Sequence, residues 1–206
     1  MWRQKLESAE GGVDRAMSVE RYSMPASKLR EAAARLIPTV DVFIAPVTDR
    51  HDETFFVPVT DADEIVEQWR NSLLSPTSYL YPPRETLFEF DLTDAEPSLD
   101  FQLDERSRII FGMRPCDTKA VAYLDNFLLG GDFVDTQYEA RRRNTKLITM
   151  ACAEAAFDTC WCGCSNAGPV AEDGYDVQLT PVEDRLLVEI AEGGEAIGEV
   201  WRDLLS

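Results

Sequence analysis

The sequence predicts an α/β fold in which a mixed, partly parallel sheet is flanked by helices and closed by a C-terminal β-hairpin and helix. Three observations carry this. The apolar run Arg108-Ile109-Ile110-Phe111-Gly112-Met113 is followed by two helical segments and a second apolar run, Lys146-Leu147-Ile148-Thr149-Met150-Ala151. Strand, helix, helix, strand is a crossover, and crossovers join parallel neighbours. Val177–Thr180 and Leu186–Ile190 flank the turn Glu183-Asp184 as a hairpin, with a helix over roughly Glu195–Leu205 behind it.

The other elements follow in chain order. Residues 1–24 have weak periodicity and contain Gly11-Gly12, so they read as a flexible N-terminal arm, leaving 25–206 as a single α/β domain. Ser27–Ile37 is an Ala-rich helix with Ser27 as its N-cap and Pro38 as its stop. Val40–Val47 and Glu53–Val59 are two strands around the polar turn Asp49-Arg50-His51-Asp52. Each holds a proline, which predicts a sheet edge or a strand end. Asp61–Asn71 reads as a helix with Ile65, Val66 and Trp69 on one face. Ser75–Phe88 is irregular and aromatic, followed by short strands at Leu87–Phe90 and Ser98–Leu103. Asp117–Leu129 is a helix capped by Asp117, with Ala120, Tyr123, Leu124 and Phe127 on one face, and Asp135–Asn144 is a second that ends in Arg141-Arg142-Arg143.

Composition narrows the function classes. At 206 residues the chain is long enough for one good core. No apolar run approaches bilayer length, and Met1–Ser8 has no apolar stretch of the secretory kind, so the expectation is a cytoplasmic protein without direct membrane insertion. A net charge of −18 argues against a nucleic-acid partner, whose phosphates would be repelled.

The cysteines are the main chemical signal. Cys152, Cys160, Cys162 and Cys164 fall in one run of thirteen residues, and Cys116 sits upstream in Arg114-Pro115-Cys116-Asp117. In a reducing compartment, clustered thiols point to metal or redox chemistry rather than disulfides. Cys116 and Cys152 each follow the C-terminal end of a predicted parallel strand, where binding sites form in open sheets. The loop after Cys152 would return the other thiols to the same edge. A cubane iron–sulfur cluster needs four soft ligands of this kind. A helix N-terminus at Cys116 would favour its thiolate. Trp161, inside the Cys-x-Cys step, is placed to shield such a group from water. Spacing alone leaves open a closed four-cysteine zinc site, in a non-catalytic structural or assembly protein, and a reactive thiol set.

A family resemblance resides in the same residues. Phe111-Gly-Met-Arg-Pro-Cys-Asp117, Ala120, Leu124-Asp125, Tyr138-Glu-Ala-Arg141-Arg142, Cys152, Cys160-Trp-Cys162, Gly168-Pro169 and Gly174-Tyr175-Asp176 occur in one order, preceded by Tyr81-Pro-Pro-Arg-Glu-Thr-Leu-Phe88. This pattern resembles the N-terminal domain of the iron–sulfur β subunit of sulfhydrogenase-type hydrogenases, and the A subunit of anaerobic sulfite reductases is similar. The resemblance implies a non-catalytic electron-transfer subunit of a multi-subunit anaerobic-type oxidoreductase, with other redox subunits as partners. It implies one [4Fe–4S] cluster on Cys116, Cys152, Cys160 and Cys162. Cys164 falls where the family has a non-cysteine residue and is a possible substitute ligand. Family members continue into a domain with two further clusters; this sequence stops at Ser206 without those cysteines, so the expectation is a single cluster. No Gly-rich dinucleotide fingerprint is present, so no flavin or nicotinamide is expected.

The remaining candidates have plainer readings. His51, the single histidine, is expected in an exposed turn. The triple arginine reads as a helix C-terminus complementing its dipole, with a salt-bridged brace or docking patch as the sharper alternative.

Overall fold

The computed structural model describes residues 18–91 and 98–206. The strands are β1 (Glu20–Pro25), β2 (Val42–Thr48), β3 (Thr54–Pro58), β4 (Phe88–Asp91), β5 (Ser98–Phe101), β6 (Arg108–Met113), β7 (Thr145–Met150), β8 (Val177–Val182) and β9 (Arg185–Ile190). The α-helices are α1 (Leu29–Leu36), α2 (Pro115–Leu128), α3 (Thr136–Arg143), the single turn α4 (Cys162–Ser165) and α5 (Glu195–Trp201). Among the described residues no helix is long and apolar enough to cross a membrane.

Seven strands form one sheet in the order β1-β9-β8-β7-β6-β2-β3. Its middle is parallel, β2 with β6, β6 with β7 and β7 with β8. Its flanks are antiparallel, as the mixed α/β prediction requires. Alternate side chains feed two cores. Phe43, Ile109, Phe111, Ile148 and Val188 pack beneath α1 and α5, with Trp201 fully buried there. Ile44, Ile110, Met113, Leu147 and Tyr138 pack on the α2–α3 side. Gly112 makes this division possible. Its φ of +86° accompanies a register break between Phe111 and Met113, so Met113 faces the same core as Ile110. A Cβ at Gly112 would also lie 2.8 Å from the Trp69 ring.

Several expectations change. Residues 20–24, read as part of a loose arm, belong to edge strand β1, which pairs with β9 and buries Met24; residues 1–17 lie outside the described residues. β2 is an interior strand despite Pro46, because its parallel pairing with β6 ends at Ile44↔Ile110 and the missing N–H falls past the last rung. Asp61–Asn71 is no helix beyond the 3₁₀ turn Ala62–Glu64, which Asp61 and Glu64 close as a capping box. The Val66 N–H instead donates to the Pro46 carbonyl, so a tertiary bond takes a donor that an α-helix would use, and just past this span the Leu73 N–H donates to the Thr54 carbonyl. Ser27 lies within a 3₁₀ turn and does not cap α1. On α2, Tyr123 and Phe127 face solvent; Thr118, Val121 and Leu128 face inward, with Thr118 Oγ1 2.7 Å from Thr149 Oγ1. β4 and β5 pair as a separate two-stranded sheet, with every residue of the two strands exposed.

Candidate iron–sulfur site

The site lies at the C-terminal ends of β6 and β7. After the Gly112 kink, Arg114 is extended, and its carbonyl accepts the N–H groups of Asp117 and Thr118, each at 3.0 Å. Pro115 fits the first turn of α2, where a missing donor costs nothing. Cys116 follows it at the start of the helix. Asp117 is not the cap expected of it. It is buried in the first turn, accepts a hydrogen bond from Ser75 Oγ at 2.7 Å, and leaves Oδ2 without a partner among the described residues. Burial pushes its carboxyl pKa up.

β7 delivers Cys152 two residues past Met150. The Cys152 N–H donates to the Pro169 carbonyl at 2.9 Å, so the far end of the cysteine loop is tied back to its start. Inside the loop, Cys160 and Phe157 close a tight turn: the Cys160 N–H donates to the Phe157 carbonyl at 3.0 Å, and the Phe157 N–H to Cys160 Sγ at 3.4 Å. α4 carries Cys162 and Cys164, and left-handed Asn166 ends it. Gly168 is wedged between loop and helix. A Cβ there would meet Cys162 Cβ at 3.3 Å, Pro115 Cβ at 3.6 Å and Cys162 Sγ at 3.8 Å.

Cys116, Cys152, Cys160 and Cys162 thereby line one cavity of about 520 Å³, while Cys164 is exposed and is not part of its wall. No three His, Cys, Asp or Glu side chains among the described residues converge as ligands of a single metal ion. The thiols ring a space rather than a point. Trp161 sits on the rim, 74% exposed, so it covers the opening only in part.

Arg114 is the residue whose role the sequence did not reveal. Its guanidinium is buried, lies 4.5 Å from the Trp69 ring centroid, and donates to the carbonyls of Trp69 and, at 3.5 Å, Met150. Its Nε is buried without a hydrogen-bond partner among the described residues. Burial lowers its pKa, and the nearby Cys152, Cys116 and Asp117 act in the opposite sense. Its sequence signals were its place at a strand end, two residues before a cysteine, and its membership of the motif Phe111–Asp117, neither of which gave it a role.

Burial works against the thiolate form at Cys116 and Cys152. Desolvation, then the charges of Asp117 and Cys152, pushes Cys116 up to about 11, which outweighs the helix N-terminus expected to favour its thiolate. Cys152 is also raised by desolvation; Arg114 lowers it, and Cys162 and Cys160 raise it further. Thiols coupled in this way lose their protons when a metal group takes them as ligands. Four soft donors around one cavity, with a buried cation in the wall, fit an anionic thiolate-ligated group.

No family model matches the chain. A curated protein, sulfhydrogenase 2 subunit beta of Pyrococcus furiosus, is 27% identical over 146 residues, which covers 68% of this chain and 40% of that protein. The chain is a distant relative of that β subunit. It spans less than half of the sulfhydrogenase β subunit's length. The motifs that carry the resemblance build this site and its support. Arg114-Pro115-Cys116 and Gly168-Pro169 form two walls of the cavity. Behind them Tyr138 Oη donates to Asp125 at 2.6 Å and Arg142 Nε to the same carboxylate at 3.0 Å, locking α3 to α2. Asp176 accepts from Lys146 Nζ at 3.0 Å and the Leu147 N–H at 2.8 Å, fixing β7. All three arginines lie in the last turn of α3, as the helix-dipole reading expects, and each is also ion-paired, Arg141 with Glu85, Arg142 with Asp125 and Arg143 with Glu105, so they act as a brace as well. His51 is exposed in its turn, as expected, and its Nε2 accepts from Arg50 Nε at 3.0 Å.

Proposed function

We propose that this chain is an electron-transfer subunit of a multi-subunit, anaerobic-type oxidoreductase of the hydrogenase or sulfite-reductase kind. It would hold one [4Fe–4S] cluster on Cys116, Cys152, Cys160 and Cys162. The observation that carries the reading is that these four thiols line one cavity at the C-terminal edge of parallel strands, while Cys164 does not. A lone tetrahedral ion needs every sulfur about 2.3 Å from one point, whereas a cubane spreads its ligands around four irons, so thiols ringing a cavity favour the cluster. When bound, such a cluster supplies a centre that takes up and gives back one electron.

The protein's own residues do the rest. The two strand ends fix Cys116 and Cys152 on a rigid frame, and the loop brings Cys160 and Cys162 to them. Arg114 offsets part of the thiolate charge from inside the wall. The Cys160 sulfur already accepts a backbone N–H, the kind of bond that sets cluster potentials. Cys160, Trp161 and Gly163 are exposed, so an electron leaves through a face that a partner's redox subunit can approach. A cytoplasmic setting, where thiols stay reduced, suits this chemistry.

Metal analysis with visible and electron paramagnetic resonance spectra on anaerobically purified protein tests the reading. The expected result is roughly four irons per chain, a brown colour and a reducible signal. One zinc and no colour would overturn it and leave a structural protein with a four-cysteine zinc site.

A further inference from the structure

At the end of the sheet where β2 and β6 begin, a second cavity of about 610 Å³ has four arginines in its wall: Arg84, Arg106, Arg108 and Arg141. The chain as a whole carries 38 acidic and 20 basic residues, so this local surplus of cations runs against its general charge. The Arg108 and Arg141 side chains are 4% and 5% exposed. Each carboxylate in the wall is already taken. Glu85 accepts from Arg141 Nη1 at 2.6 Å. Asp104 accepts from Arg106 at 2.8 and 2.9 Å and also from Arg108. Glu105 pairs with Arg143.

Two donor groups remain. Arg84 has no hydrogen bond or ion pair among the described residues and faces solvent at the cavity. Arg141 Nη2 is buried without a hydrogen-bond partner among the described residues, although the Nε and Nη1 of the same guanidinium are bonded to the Leu80 carbonyl and Glu85. A buried donor left unpaired is costly, and more so on a charged group. The same side chain lines the cavity, which is large enough for a small molecule.

We propose that this cavity binds a small molecule through an oxyanion, a phosphate or carboxylate group, held by Arg84 and by Nη2 of Arg141. Planar guanidinium groups match such oxyanions with paired hydrogen bonds. Arg106 and Arg108, which share the single carboxylate of Asp104, form the charged floor. Val42, Pro58, Pro82 and Leu103 supply apolar wall for the rest of the ligand. None of the five cysteines lines this cavity, so the proposal does not rest on the cluster reading.

Titration calorimetry on the full chain in chloride buffer tests it, with pyrophosphate in one arm and citrate in the other. Saturable binding is expected in at least one arm, and the arm that responds identifies the oxyanion. Arg84→Gln alters an exposed residue with no partner to lose, and is expected to weaken binding about tenfold, the loss of one charge-assisted contact. Arg141→Lys keeps the charge but removes the fork, and is expected to weaken it as well. No saturable heat in either arm, or binding that Arg84→Gln leaves unchanged, overturns the proposal.

Discussion

Arg141 Nη1 donates to Glu85 at 2.6 Å while its Nε donates to the Leu80 carbonyl at 2.7 Å, so one guanidinium joins the end of α3 to the irregular segment 80–85. These are two of the segments that carry the family resemblance, separated by 56 positions in the chain. Glu85→Ala would leave a buried cation without its counter-charge, and breaking a buried pair in this way costs about 3 kcal/mol. The midpoint of thermal unfolding should fall by roughly 6–12 °C for a domain of this size. A thermal scan of wild type and variant, at matched metal content, checks this.

Cys164 is exposed on α4, outside the wall that the other four thiols share. Cys164→Ser should therefore retain the iron content and visible spectrum of the wild type. Cys116→Ser, Cys152→Ser, Cys160→Ser and Cys162→Ser should each lose most of both. Iron loss in Cys164→Ser, with full retention in one of the other four, would exchange those two residues in the ligand set.

How much of this was legible in the sequence differs by element. β6 is found at Arg108–Met113, the span its apolar run predicts, because a strand covered on both faces leaves a continuous hydrophobic signature. Over 61–71, where a helix is expected, the Val66 N–H goes to Pro46 instead, a partner 20 residues away that no local pattern records. The inward face of α2 was misjudged for a related reason. Thr118 is buried through its bond to Thr149, a partner 31 residues away, while Tyr123 and Phe127 look like core residues and are not. In the site, the thiols announced themselves by spacing. Arg114 did not, because its meaning depends on Trp69 and on two strand ends that meet only in the fold.

Asp104 gives a pH dependence of definite sign. Hydrogen bonds from Arg106, then Arg108, hold its carboxyl well below the usual carboxylate range, against desolvation. A depressed folded pKa means that the unfolded chain binds the proton first as pH falls. The stabilisation is therefore complete above the unfolded value of about 3.9 and is lost progressively below it. Asp104→Asn should lower the urea midpoint at pH 7, and the gap from wild type should narrow as the pH drops through about 4 and below. An equal gap at neutral and acidic pH would show that the hydrogen bonds, and not the charge, carry the effect.

Arg114 is expected to tune the proposed cluster rather than hold it. Its guanidinium lies in the cavity wall, is close enough to Cys116 and Cys152 for their charges to act on it, and is fixed by the Trp69 ring and the carbonyls of Trp69 and Met150. Reduction adds negative charge beside this cation, so Arg114 favours the reduced state. Arg114→Gln should shift the midpoint potential to more negative values, on the order of 60 mV for a tenfold change in a one-electron equilibrium. Arg114→Lys keeps the charge and should recover much of the shift, even though it loses the planar stack on Trp69. Redox titration followed by electron paramagnetic resonance reads the potential directly, and iron analysis of the same samples reads ligation. If Arg114→Gln keeps its iron and the wild-type potential, the buried cation supports the fold alone. If both variants shift equally, the effect lies in packing against Trp69 and not in the charge.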